Sequence, residues 1–561
     1  MVRLQVLVVL AVAAAALAEH TVTLKQGRLR GHVLKSRKGR PIYAFQGIPY
    51  AKPPVGDLRF KAPQPPEPWE GVLDATKEGA VCVQVGFLPG DLAIRGNEDC
   101  LYLNVYTPQR PTREVSKLLD VMFWSYGGSW VSGSGNTDFY GPQYLLDKDV
   151  MLVTINYRLG IQGFLSTEDE ACPGNNGLKD HVAALRWVRD NIAAFGGNPD
   201  SVTIFGQSSG GVGVHYLMLS PSSRGLFHRA ISQSGVAIST WVLAPRGQSR
   251  RLAGQVAALF NCPTESSSEL VACLREQDAY KLYSSSEGLT ENNQSSVSFL
   301  SVVEPESKEA IITEEPFKIL VSGTAELVPW MTGVTSNEGC LLTSFFSGVE
   351  WSQIRNDLVW MINEIADDPR DSAQRNIITK TFEEFYYKNV STSSESALAT
   401  VKFLSDILFN IRTDTAVKLH SRRRAKVYYY EFDYLGSHSF NSLFFGPANC
   451  PGATHLDDII YLFPQNSSFP NSTLTASDER MVDLMVTWWT NFARTGNPTR
   501  TWKPVSSPDI VEYARLDAEG VHMGHGLFKE QVEVWNSLPV KYKYPWRRRN
   551  SGTHSGTKKS F

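Results

Sequence analysis

The sequence predicts an α/β fold, with a mostly parallel central sheet, helices on both faces and a small N-terminal antiparallel region. Three observations point there. Apolar runs rich in β-branched and aromatic residues recur from about Leu118, at 118–126 (LLDVMFWSY), 150–157 (VMLVTINY) and 201–206 (SVTIFG). Helical patterns alternate with these runs. Residues 21–117 instead suggest antiparallel strands followed by proline-rich connections (KPPVGDLRFKAPQPPEPWEG).

Each element has its own signal. The runs at 118–126 and 150–157 are apolar throughout, as strands covered on both faces must be. In 177–197, Val182, Leu185, Val188 and Ile192 fall at helical spacing, and Gly196-Gly197 provide the stop. The strand at 201–206 leads through a glycine-rich turn into the helical VGVHYLML (212–219). Open parallel sheets place ligands at the carboxyl ends of their strands, which is where this turn falls. The Ser/Glu-rich stretches 284–308 and 391–398 are expected to be surface loops. Neither a repeat nor a linker divides the chain, so 19–540 is expected to be one domain with insertions and 541–561 a polar, basic, disordered tail.

Composition narrows the class. The chain has 561 residues, 42% hydrophobic and 20% charged, as in a globular protein. A formal net charge of −2 gives no basis for nucleic acid or an anionic membrane as partner. Residues 1–18 carry one positive charge at Arg3, a mostly apolar run and a small-x-small ending, Ala16-Leu17-Ala18. That is the pattern of a secretory signal peptide, with the mature chain starting at Glu19. No later run is long enough to anchor the chain in a membrane.

An extracellular destination gives meaning to the seven cysteines. The short separations suit disulfides that clip local loops, Cys82 to Cys100 and Cys262 to Cys273. Cys172, Cys340 and Cys450 are left with their pairing open. The cysteine spacing matches no metal-ligand pattern, and neither a metal nor a cofactor is expected. Glycosylation sequons begin at Asn293, Asn389, Asn466 and Asn471.

The turn reads FGQSSGG, with Gly206 and Gly210 flanking Ser208. Small flanking residues let a strand and a helix pack closely while a serine hydroxyl projects from the top of the sheet. Serine is a poor nucleophile at neutral pH and needs a base. The amide of Ser209, at a helix N-terminus, is placed to stabilise an oxyanion. By themselves Asn337-Glu338-Gly339 look like an exposed turn, and His438 rivals His455 as a base.

Several motifs occur in order: FQGIPYAKPPVGDLRF (45–60), EDCLYLNVYTP (98–108), INYRLG (155–160), GGNPDSVTIFGQSSGG (196–211), TSNEG (335–339) and GATHLDD (452–458). In these the chain resembles the type-B carboxylesterases, the cholinesterase-like branch of the α/β-hydrolases. The resemblance spans residues 21 to 538 and implies an α/β-hydrolase fold and a triad in the order Ser, acid, His. It assigns the nucleophile to Ser208, the acid to Glu338 and the base to His455. Asp457 and Asp458, so close to His455 in sequence, are expected to cap or position its loop. The resemblance also assigns the oxyanion hole to the amides of Gly128, Ser129 and Ser209. Where the family usually has three consecutive glycines, this chain has Gly127-Gly128-Ser129. Serine keeps the N–H but restricts the backbone.

The implied substrate is a small to medium apolar ester. Cholinesterase activity is not expected, because the span Cys82–Cys100 lacks the tryptophan that stacks on a quaternary ammonium. Gln207, Arg59-Phe60 and the Gly452–Asp458 pattern resemble insect secreted carboxylesterases and juvenile hormone esterases, whereas Asp180-His181 departs from the Asp-Gln usual in the latter. Juvenile hormone esterase is one alternative. A catalytically silent binding or adhesion module is another, supported only by Ser129. The oligomeric state is left open.

Overall fold

The computed structural model describes residues 20–544, except 87, 89, 92, 112–116, 287–288, 290–298, 326, 346–351, 353, 355–358 and 471–472. The expected signal peptide, Asn293, Asn471 and most of the tail lie outside the described residues.

Two sheets form. The small one joins β1 (Thr21–Thr23), β2 (Arg28–Arg30) and β5 (Val72–Asp74) in the order β1-β2-β5. The large one has eleven strands. From one edge it runs through β3 (His32–Lys35), β4 (Pro41–Pro49), β6 (Tyr102–Thr107), β8 (Val150–Ile155), β7 (Leu119–Ser125) and β9 (Gly197–Gln207). It continues through β10 (Arg229–Gln233), β11 (Trp330–Thr335), β12 (Val427–Phe432), β13 (Glu512–Asp517) and β14 (Gly520–His525). Every pair from β8 to β13 is parallel, and β3, β4 and β6 form the N-terminal antiparallel edge. The β13–β14 hairpin adds a second antiparallel edge, which the sequence did not announce.

The middle of the sheet is dry. All six residues of β8 are buried, as are Val121 to Trp124 of β7. Strands sandwiched between helix layers have no solvent face, so they read as unbroken apolar runs. The helix Asn176–Asn191 buries Val182, Leu185 and Val188, and the next short turn buries Ile192 before ending at Gly196, where φ is 88°.

Two surface expectations change. Residues 391–398 are not a loop: the helix Ser393–Ser405 starts there, with Thr392 and Glu395 forming a capping box. Within 284–308, Phe299, Leu300 and Val302 are buried, and Glu304 meets Lys179 at 2.5 Å. At the C-terminal end the chain is still docked at 541–544, where Tyr544 is buried.

Because β7, β9 and β11 are parallel, their carboxyl ends share one edge of the sheet. Tyr126–Trp130, Ser208 and Glu338 all follow those ends, and the loop after β12 brings in His455.

Candidate active site

Ser208 sits between β9 and the helix Ser209–Leu219, with φ 56° and ψ −126°. L-residues rarely adopt such a conformation, which typically costs about 1–3 kcal/mol. The turn is held by the Ser208 amide donating to Gln233 O at 2.8 Å and by Val212 N donating to Ser208 O at 2.9 Å. The flanking glycines are needed for space. A Cβ on Gly206 would lie 2.6 Å from Ser125 O, and one on Gly210 would also run into that carbonyl.

Beyond β7 the backbone turns left-handed at three successive residues: Gly128 (φ 114°), Ser129 (φ 54°) and Trp130 (φ 61°). A side chain at Gly128 would collide with Ser132 O. Ser129 therefore adopts the left-handed backbone that glycine favours, and its N–H is preserved. The amides of Gly128, Ser129 and Ser209 donate to no acceptor among the described residues. The Ser209 hydroxyl has a part that sequence reasoning missed: its Oγ accepts from Trp130 N at 3.3 Å. Trp130 is itself buried and stacked on Phe164, 4.9 Å between centroids.

Glu338 and His455 are brought together. The Nδ1 of His455 donates to Glu338 Oε2 at 2.6 Å, and Glu338 Oε1 accepts from Thr335 N at 2.8 Å. The Phe409 ring packs 4.7 Å from the imidazole. On the other side of the ring, Nε2 accepts from the side-chain amide of Gln207 at 3.1 Å. No Ser208–His455 hydrogen bond forms, although both residues contact or adjoin Gln207.

His438 stays apart, bonded to Ser437 and packed on Phe469. Asp457 accepts from Thr454 N, Phe440 N and Ser439 Oγ, pinning the histidine loop to 439–440. Asp458 accepts from Gln233 Nε2 at 2.7 Å and from Tyr430 OH. Burial pushes the Asp457 carboxyl up to about 7 and that of Asp458 up to about 6. Gln233 also accepts from Trp489 Nε1, so one side chain at the end of β10 links the histidine loop to the helix Ala476–Thr495.

At the end of β7, Ser125 Oγ donates to His181 Nε2 at 2.8 Å, while His181 Nδ1 donates to Gly177 O at 2.8 Å. Burial pushes the His181 imidazole down to about 4, so it is neutral at pH 7. Its neighbour Asp180 takes two hydrogen bonds from the Arg158 side chain, at 2.8 and 2.7 Å.

The disulfides Cys82–Cys100 and Cys262–Cys273 form, and a third, Cys340–Cys450, joins the Glu338 loop to the His455 loop. Cys172 is free and buried. Asn389 and Asn466 are exposed. Among the described residues, Asp517, Glu519 and His522 bring three possible metal-ligand atoms within 4.8 Å of one another. That group lies on the β13–β14 hairpin, and Arg515 already pairs with Asp517 at 3.4 Å.

A strained serine, a paired histidine and carboxylate, and three unengaged amides meet at one sheet edge, the groups from which a hydrolase site can be built. The chain belongs to the carboxylesterase family, whose model matches residues 18–535. It is 37% identical over 540 residues to juvenile hormone esterase of Tribolium castaneum, covering 92% of this chain and 91% of that one. It is 38% identical over 514 residues to esterase FE4 of Myzus persicae, covering 88% and 89%. In structure it resembles juvenile hormone esterase from Manduca sexta with OTFP covalently attached, at a TM-score of 0.82 and 29% identity, covering 92% and 99%.

Proposed function

We propose that this chain is a secreted serine carboxylic ester hydrolase acting on small to medium apolar esters through an acyl-enzyme. Ser208 is the nucleophile, His455 the general base and acid, and Glu338 the carboxylate that orients His455. The observation carrying this reading is the 2.6 Å Glu338–His455 bond beside a serine held in a strained elbow.

With Nδ1 protonated toward Glu338, the lone pair of His455 Nε2 is available to a donor. As substrate enters, Ser208 displaces the Gln207 amide from Nε2, and its Oγ attacks the ester carbonyl carbon while its proton passes to Nε2. The carbonyl oxygen gains the negative charge, and the amides of Gly128, Ser129 and Ser209 stabilise it. Collapse expels the alcohol, which takes the proton from Nε2. Water then repeats the sequence on the acyl-enzyme and releases the acid. Three disulfides and exposed sequons at Asn389 and Asn466 support passage through an oxidising secretory compartment.

The test is turnover of a short nitrophenyl ester before and after an organophosphate. Wild type is expected to turn over, to be inactivated and to carry the label on Ser208; Ser208→Ala should lose on the order of 10⁶ in rate. Absence of turnover and of label would favour a silent binding module. A second reading, juvenile hormone hydrolysis, draws support from Gln207 and from the two relatives of that name. It requires kcat/KM on juvenile hormone to exceed that on short nitrophenyl esters in the same preparation.

A further inference from the structure

Arg412 lies in the first turn of the helix Ile411–Arg422 and is only 2% exposed. Its Nη1 donates to the carbonyl oxygens of Lys541 and Tyr542, both at 3.2 Å. The rings of Trp535 and Tyr542 cover the guanidinium, 5.9 and 5.6 Å from its carbon. The other donors, Nε and Nη2, are buried without a hydrogen-bond partner. Those two N–H groups share one edge of the guanidinium, forming the fork that grips an anion side-on.

Among the described residues the charge has no counterpart. Among the described side chains no carboxylate pairs with Arg412, and residues 545–561 contain neither Asp nor Glu. Burial pulls the guanidinium down to about 10, which leaves it cationic at neutral pH. An unpaired buried cation is costly, and water could satisfy the two N–H groups but not the charge. Carbonyl oxygens on Nη1 and aromatic rings on the faces leave only the Nε–Nη2 edge for a counter-ion. So enclosed a place suits a small, weakly hydrated, monovalent ion over a divalent oxyanion.

We propose that the Nε–Nη2 edge of Arg412 is an internal binding site for one monovalent anion of chloride size, which neutralises the guanidinium whose Nη1 holds residues 541–542 to the helix Ile411–Arg422. The site stands whether or not the esterase reading holds, because its readout is stability.

The full-length protein in sodium gluconate is titrated with sodium chloride at constant ionic strength and followed by thermal unfolding. Tm is expected to rise, and above the Kd each tenfold increase in chloride should raise the folding equilibrium constant about tenfold. Crystals grown with sodium bromide should show an anomalous peak against Nε and Nη2, and Arg412→Met should lose the chloride dependence. A Tm indifferent to chloride, or a water with no bromide peak on that edge, overturns the proposal. If Arg412→Met fails to fold, the bromide peak in the wild-type protein decides.

Discussion

The backbone N–H of Trp130 donates to the Oγ of Ser209 at 3.3 Å, fastening the loop that carries Gly128 and Ser129 to the helix that begins beside Ser208. The proposed oxyanion hole draws its amides from two sequence-distant loops, so their relative position depends on contacts like this one. Ser209→Ala keeps the Ser209 amide but removes the acceptor, leaving a buried N–H whose loss of a partner costs about 1–3 kcal/mol. Because the variant loosens the donors and deletes none, the fall in kcat is expected to be about three- to tenfold, with KM little changed. That is well short of the roughly 10²–10³ lost with a whole donor. Steady-state kinetics on a nitrophenyl ester measure it, and a kcat equal to wild type would mean that the tether does not position the hole.

Ser129 holds φ 54° in a place where glycine would be unstrained. The left-handed backbone costs an L-residue roughly 1–2 kcal/mol, part of which glycine returns as extra freedom in the unfolded chain. Ser129→Gly is therefore expected to keep kcat at or above wild type and to shift stability by less than about 1 kcal/mol. Ser129→Val should behave differently, since a β-branched residue resists this conformation and would drag its amide out of line. A loss of about 10²–10³ in kcat is expected for the valine variant. Equal activity in both variants would show that the residue-129 amide is not an oxyanion donor.

Much of the fold was legible because the central strands advertise their double burial, and the elbow was legible because FGQSSGG follows one of them. The rest of the site was not legible from local signals. Glu338 sits in an ordinary turn sequence, and only the family motif distinguishes it from an exposed carboxylate. Gln233, His181 and the Ser209 hydroxyl act across large sequence separations, through contacts that no local pattern encodes. The helix starting at Ser393 is obscured for a different reason: Thr392 and Glu395 form a capping box, but the serine-rich composition around them points to a loop. Cys340 and Cys450 lie 110 residues apart, so spacing alone had no means of pairing them.

His181 makes a prediction about acid. Its folded-state value is down at about 4 against an ordinary 6.5, with burial as the main cause. As pH falls below 6.5 the unfolded chain takes up this proton first, so the contribution of neutral His181 is lost progressively toward pH 4. The slope is at most about 1.4 kcal/mol per pH unit. Other buried groups add slopes of their own, so the readout is the difference between wild type and His181→Gln, which keeps an acceptor for Ser125 Oγ. That difference should shift in favour of the variant as pH drops from 6.5 to 4.5 in urea unfolding. A pH-independent difference would mean that His181 does not titrate as a buried neutral group.

The Cys340–Cys450 bridge joins the loop two residues beyond Glu338 to the loop five residues before His455, across a separation of 110 residues. Closing a loop of about 100 residues removes enough unfolded-state freedom to stabilise by roughly 4.7 kcal/mol in the chain-entropy model, although measured values often fall nearer 2–4. The bridge also limits how far the carboxylate and imidazole loops can move apart. Two effects are therefore expected from the Cys340→Ala/Cys450→Ala double variant. Stability should fall by about 2–5 kcal/mol, and kcat should fall at temperatures where the protein remains folded, because the 2.6 Å Glu338–His455 bond loses its covalent support. The corresponding Cys262→Ala/Cys273→Ala variant, whose loop spans 11 residues away from the triad, is expected to lose less stability and to keep its kcat. Equal losses of kcat in the two variants would show that the Cys340–Cys450 bridge acts on global stability and not on the geometry of the triad.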